Sequence, residues 1–303
     1  MVVHNDRISI IGAGTLGGTI AYGLLMNSLA KEIVLIDPSD HILQGQVLDL
    51  SEAATGTSVT VRAGTFKEAG QSGLVIFTAD TPQLPNEERQ DWLLRSRRLL
   101  LSIAASMSPV HPEIRILVAS EPVDVYVQSF QSYYPHVSPH RIFGIGTTLP
   151  TLRFRSWLTD MMHSDAVTDA FVIGNTENPI VVWNHAKVSN ESLSKLPNLV
   201  SQRSNLEKLV SNYRLDLIRE RKGHAWFGTA AIITRLTHCL MRQHPPEVWV
   251  LSVYIPQYDV CTSWPAMVGP QGIRELVHLP LSSDESALFR QNVENNIQDF
   301  ETS

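Results

Sequence analysis

Residues 8–37 constrain this chain more than any other stretch. Ile8-Ser9-Ile10-Ile11 is an apolar run of strand length, and it leads directly into Gly12-Ala13-Gly14-Thr15-Leu16-Gly17. A helix-period stretch over 14–27 follows, then a second apolar run, Ile33-Val34-Leu35-Ile36, closed by Asp37. In a G-x-G-x-x-G turn between strand and helix, the three glycines serve a tight turn, close approach of backbone to a pyrophosphate, and helix–strand contact. The unsatisfied N–H groups of the helix start then face the phosphates. Asp37 lies twenty residues after Gly17. A carboxylate there can accept both ribose hydroxyls and repels a 2′-phosphate, so NAD(H) is expected rather than NADP. Gly12, Gly14, Thr15, Leu16, Gly17 and Asp37 are the predicted cofactor contacts. A packing turn that retains its glycines without holding a cofactor is the plainer alternative.

The rest of the first half repeats the alternation. Strands are expected over 7–11, 33–36, 59–62, 74–78, 114–119 and 142–144, with helices over 14–27, 90–107 and 123–134. Strand–helix alternation predicts a doubly wound parallel sheet. After about Gly146 the pattern shifts to α+β. Helices are expected over 151–162, 202–220, 227–242 and 283–300, and strands over 170–173, 180–188, 248–254 and 261–268. The chain of 303 residues is long for one core. A dinucleotide-binding domain over 1–146 and a substrate domain over 147–303 are therefore expected.

Composition excludes other classes. The net charge is -6 and no Lys/Arg stripe forms, which argues against nucleic acid. No apolar run reaches the roughly 18–20 residues of a membrane span, and the N-terminus has no signal-peptide pattern. With only Cys239 and Cys261, the chain is expected to be cytoplasmic, without a disulfide scaffold. Histidines show no metal-ligand spacing, so no metal is expected.

Several ordered motifs then carry a resemblance over nearly the whole chain. Gly45-Gln46-Val47-Leu48-Asp49-Leu50, the loop Pro85-Asn86-Glu87-Glu88-Arg89, Val118-Ala119-Ser120-Glu121-Pro122-Val123-Asp124, and Gly146-Thr147-Thr148-Leu149-Pro150-Thr151-Leu152-Arg153-Phe154-Arg155 occur in sequence. Lys222-Gly223, Val268-Gly269 and Leu279-Pro280-Leu281 complete the series. Together they resemble the L-lactate/malate dehydrogenase family, nearer its lactate branch. The resemblance implies an N-terminal Rossmann sheet, a C-terminal α+β domain and a homo-oligomer. It also implies hydride transfer between nicotinamide and a small 2-hydroxy or 2-oxo acid.

The family's mechanism needs a histidine to exchange a proton with the substrate oxygen and an aspartate to orient that histidine. Here Thr176 stands at the histidine position and Pro150 at the aspartate position. The carboxylate-gripping arginine is retained as Arg153 and the loop arginine as Arg89, with Glu88 beside it as a partner or competitor. The resemblance sets Thr78 and Ala79 against the cofactor. Asp80 replaces the next glycine, and its charge is expected to weaken NAD binding by repulsion unless it points outward. Glu121 replaces the asparagine of an N-P dipeptide, and its bond to Pro122 is expected to be cis. Leu84 and Ala225 replace polar specificity residues and imply a larger, less polar pocket. Glu121, with a raised pKa, and His224 are the two candidates to take over the proton.

Three functional readings follow. The first is a repurposed enzyme acting on a bulkier, less polar carboxylate-bearing substrate, by hydride transfer or by proton transfer or cyclisation. The second is a non-catalytic protein that senses NAD(H) or mediates interaction. The third is a weak NAD-dependent 2-hydroxy acid dehydrogenase, rescued by His224 or water and slowed by roughly 10²–10⁴-fold or more through loss of the acid–base pair.

Overall fold

A computed structural model of the chain describes residues 3–163, 167–188, 191–193, 202–210, 213–242 and 245–303. Its first half contains β1 (His4–Ile11), α1 (Thr15–Met26), β2 (Glu32–Ile36), α2 (Asp40–Ala53), β3 (Thr60–Ala63), α3 (Phe66–Ala69), β4 (Ser72–Phe77), α4 (Arg89–Met107), β5 (Arg115–Val118), α5 (Val123–Tyr133) and β6 (Ile142–Gly144). The six strands pair in parallel in the order β3-β2-β1-β4-β5-β6. Such a sheet is covered on both faces, so its strands read as continuous apolar runs. Ile8, Ile10, Ile33, Leu35, Leu74 and Ile76 pack on one side with α1. Ile11, Val34, Ile36, Val75 and Phe77 pack on the other with α4 and α5. Full burial of each such side chain contributes about 1.5–3 kcal/mol.

The second half contains α6 (Thr148–Met162), β7 (Val167–Thr168), β8 (Val172–Gly174), β9 (Pro179–Val181), β10 (Lys187–Val188), β11 (Glu191–Ser192), α7 (Arg203–Val210), α8 (Tyr213–Lys222), α9 (Trp226–Met241), β12 (Glu247–Ile255), β13 (Val260–Gly269), β14 (Gly272–Leu276) and α10 (Ser283–Thr302). The large sheet continues from β6 into β12-β13-β8-β9, with β14 beside β13 and these additions antiparallel. The register Ser252↔Gly144 joins the two halves. A small sheet, β11-β10-β7, lies apart.

Two expectations need correction. The single strand over 180–188 is two, because the Trp183 and Asn184 N–H groups donate to Glu285 at the start of α10 rather than to a neighbouring strand. The helix expected over 202–220 is helical on both sides of residues 211–212, as α7 and α8, and those two residues lie outside the described residues. The helix expected from 151 begins at Thr148, which places Pro150 in its first turn. There its missing N–H costs nothing, since first-turn N–H groups have no partner within the helix. The helix α2 and the strand β14 had not been expected.

Candidate active site

The dinucleotide end is built as its glycines require. Gly12 has φ +105°, and a Cβ there would come within 2.6 Å of Thr78 Oγ1 and 2.9 Å of the Ala79 nitrogen. A Cβ on Gly17 would run into the Gly12 carbonyl. Thr78 Oγ1 donates to the carbonyls of Ile11 and Gly12, each at 2.9 Å. Thr78 and Ala79 therefore fasten the turn from β4. Gly14, by contrast, has no heavy atom within 4 Å of its Cβ position, and it caps α1 without a side chain covering the first N–H groups. Thr15 is exposed at the first position of α1, and Leu16 is buried beneath it. Asp37 accepts from the Ala13 N–H at 2.9 Å and the Ser39 N–H at 2.8 Å, one on each oxygen. Each oxygen keeps a lone pair. An open cradle at Gly14, bare helix N–H groups and a fixed carboxylate fit a dinucleotide.

The Glu121–Pro122 bond is cis, as expected. Glu121 lies three residues beyond β5 and is exposed to the cleft, with neighbouring groups crowding its carboxyl. That crowding raises its carboxyl above the usual range, and Glu177 and Asp80 add to the rise. Hydrogen bonds from the Val123 N–H and the Thr176 side chain pull the other way. Water in the cleft moderates the push. Asp80 is exposed, one residue beyond Ala79, and partial desolvation raises its carboxyl too.

Beneath Glu121 lies a polar cluster that the sequence reading passed over. Asp124 is 8% exposed, and burial raises its carboxyl to about 7. Ser252 donates to one of its oxygens, and Asn296 Nδ2 donates to the other at 3.1 Å. Asn296 Oδ1 accepts from Asn175 Nδ2 at 3.0 Å, and Asn292 accepts the Asn175 N–H at 2.8 Å. The available signal was the spacing Asn292, Asn296, Asp299, which puts polar residues on one face of the last helix.

Arg89 opens α4, and its guanidinium is already engaged. Nη2 and Nε donate to the two oxygens of Asp299, at 2.6 and 3.2 Å, and Nη1 donates to Glu177. Glu88, expected as a partner or competitor of Arg89, is exposed at the helix cap, while Glu87 pairs with Arg95. Arg153 is half-buried on α6. The Thr151 hydroxyl there bonds the Val172 backbone of β8, the strand that leads to Thr176. The structure thus brings Glu121, Thr176, Glu177, Arg89 and Asp299 into one group. Leu84 is 58% exposed and its N–H donates to Glu87. His224 is exposed and stacks on Trp226, and Ala225 is half-buried at the start of α9. Among the described residues, no group of three or more His, Cys, Asp or Glu side chains is arranged to hold a metal. No described helix is long and apolar enough to cross a membrane.

Residues 6–144 match the family model for the lactate/malate dehydrogenase NAD binding domain. An L-lactate dehydrogenase A of Rhizopus oryzae is 32% identical, over 97% of this chain and 92% of that protein. An L-lactate dehydrogenase 2 of Bacillus cereus is 30% identical, over 95% of each. Among solved structures, a lactate dehydrogenase from a Medee basin deep-sea metagenome library superposes with a TM-score of 0.91 at 22% identity, covering 99% of both chains. The minor L-lactate dehydrogenase of Enterococcus mundtii, in a ligands-bound form, gives 0.89 at 26% identity over 98% of both.

Proposed function

Because the chain belongs to the lactate/malate dehydrogenase family, we propose that it is a slow NAD-dependent 2-hydroxy acid dehydrogenase in which the Glu121 carboxyl takes the place of the imidazole. The observation that carries this reading is the placement of the Glu121 carboxyl at the cis Glu121–Pro122 bond, open to the cleft and hydrogen-bonded by Thr176. NADH, when bound, supplies the hydride. Gly12, Gly14, Gly17 and the first turn of α1 would hold its pyrophosphate, and Asp37 its ribose. Reduction of a 2-oxo acid also needs a proton at the carbonyl oxygen. Glu121 in its acid form donates that proton and is reprotonated by cleft water. The Thr176 side chain fixes the orientation of the carboxyl. Arg153 pairs with the substrate carboxylate in two-point fashion, and Arg89 offsets charge growing on the oxygen.

The family relatives favour this reading over a remodelled substrate. The latter rested on Leu84 and Ala225, and an exposed Leu84 does not build a closed apolar pocket. A carboxyl in place of imidazole is a poorer match to neutral pH, so turnover is expected roughly 10²–10⁴-fold below that of a histidine-bearing relative. Two free, buried cysteines fit a reducing cytoplasm. The test is NADH consumption with pyruvate by the purified protein. Glu121→Gln is expected to lower kcat at least about tenfold with NADH affinity unchanged. A wild-type protein that binds NADH and never turns over would contradict the proposal and favour the non-catalytic reading.

A further inference from the structure

The last turn of α10 is an electrostatic problem that α4 solves. Aligned peptide dipoles leave the C-terminal end of a helix negative. This end carries Asp299 and Glu301 and no basic residue in its last turn. Two arginines of α4 compensate. Arg97 Nη1 donates to the carbonyls of Phe300 at 3.1 Å and Ser303 at 2.7 Å, and its guanidinium lies 4.4 Å from the Phe300 ring centre. Phe300 itself packs on Trp92, Leu93 and Val125. Eight residues earlier, Arg89 makes the two-point pair with Asp299 described above. The Asp299 side chain is only 18% exposed, and that of Glu177 is 45% exposed. The Asp299 pair is therefore the stronger, and the Glu177 pair is the more easily screened.

Arg97 and Phe300 anchor the helix, which leaves Asp299 free for another task. From the bidentate geometry we propose that Asp299 is an internal competitor of the substrate for Arg89, a latch that holds the loop arginine until an incoming 2-oxo acid displaces it. This rests on the dehydrogenase reading for the role of Arg89. A polar cleft of about 520 Å³ between the start of α4, Asn175–Asn178 and α10 adjoins the pair. It gives the released Asp299 carboxylate access to water. Asp299 acts through Arg89 and is a positioning residue.

The test compares the wild type with Asp299→Asn and Asp299→Glu. Asp299→Asn removes the charge and keeps the shape, so Arg89 is left with only the weaker, more exposed Glu177 pair. The KM for pyruvate is expected to fall about three- to tenfold with kcat changed less than twofold, and Glu is expected to restore the wild-type KM. Hydrogen exchange of residues 82–90, measured without NADH or pyruvate, is expected to quicken in Asn and to be normal in Glu. An unchanged or raised KM together with unchanged exchange overturns the latch. If no variant consumes NADH, the dehydrogenase reading falls. Quickened exchange restored by Glu would then uphold the Asp299–Arg89 latch, and unchanged exchange would refute it.

Discussion

Position 124 combines burial with a charge that the fold discourages. Burial first, then repulsion from Glu121, raises its carboxyl to about 7, against hydrogen bonds from Ser252 and Asn296. In an unfolded chain an aspartate titrates near 3.9. Between about pH 4 and 7 the folded state therefore holds a proton that the unfolded state has lost. This contribution is complete below pH 4 and disappears as pH rises through 7, a change of roughly 4 kcal/mol at most. Urea unfolding midpoints are expected to fall from pH 5 to pH 8 in the wild type and to change much less in Asp124→Asn. The variant loses some absolute stability as well, because an amide nitrogen then replaces one of the two oxygens that Ser252 and Asn296 share. A wild-type midpoint that rises over that range would refute the assignment. The family resemblance alone gave Arg89, Arg153, Thr176 and Pro150 their positions, so these expectations were readable in the sequence at this scale. Glu121 beside Thr176 was not, because residues 55 positions apart meet only once β5 and β8 occupy one sheet.

The element that decides cofactor binding is the β1–α1 turn, and its glycines separate into two kinds. A methyl on Gly17 would meet the Gly12 carbonyl, which cannot move without opening the turn. Gly17→Ala is expected to destabilise the protein by about 1–3 kcal/mol and to lose NADH binding. Gly14 has φ -69° and open space around it. Gly14→Ala is expected to leave the melting temperature within a few degrees of wild type while weakening NADH at least tenfold, because the methyl occupies the cradle. Calorimetry and NADH fluorescence titration separate the two effects. Equal NADH affinity in Gly14→Ala and wild type would mean that the turn is only a packing device. The parallel strands were legible because both faces are buried and the apolar runs are continuous. The break after Val181 was hidden, since it depends on Glu285, about a hundred residues away, claiming two backbone N–H groups.

Across the whole molecule, one sheet runs from β3 to β9 and joins both halves through Gly144 and Ser252. Ser252 also bonds Asp124, so the buried acid cluster sits at that seam. The C-terminal helix closes over it and reaches Arg89, a connection between residues 210 positions apart that no local pattern foretells. On the outside, Tyr22 and Met26 lie one turn apart on α1 and are 51% and 58% exposed. A homo-oligomer is proposed from the family resemblance, with these two exposed apolar side chains as a candidate contact. Sedimentation is expected to give a dimer or larger species that Met26→Glu weakens, and a monomer at tens of micromolar would contradict it. The proton donor is the central assignment for this protein. In single-turnover reduction of pyruvate by bound NADH, the wild-type rate is expected to decline as pH rises and Glu121 loses its proton. Glu121→Gln is expected to be at least tenfold slower and flat with pH. Equal rates, or the same falling limb in both proteins, would place the proton elsewhere and contradict the role given to Glu121.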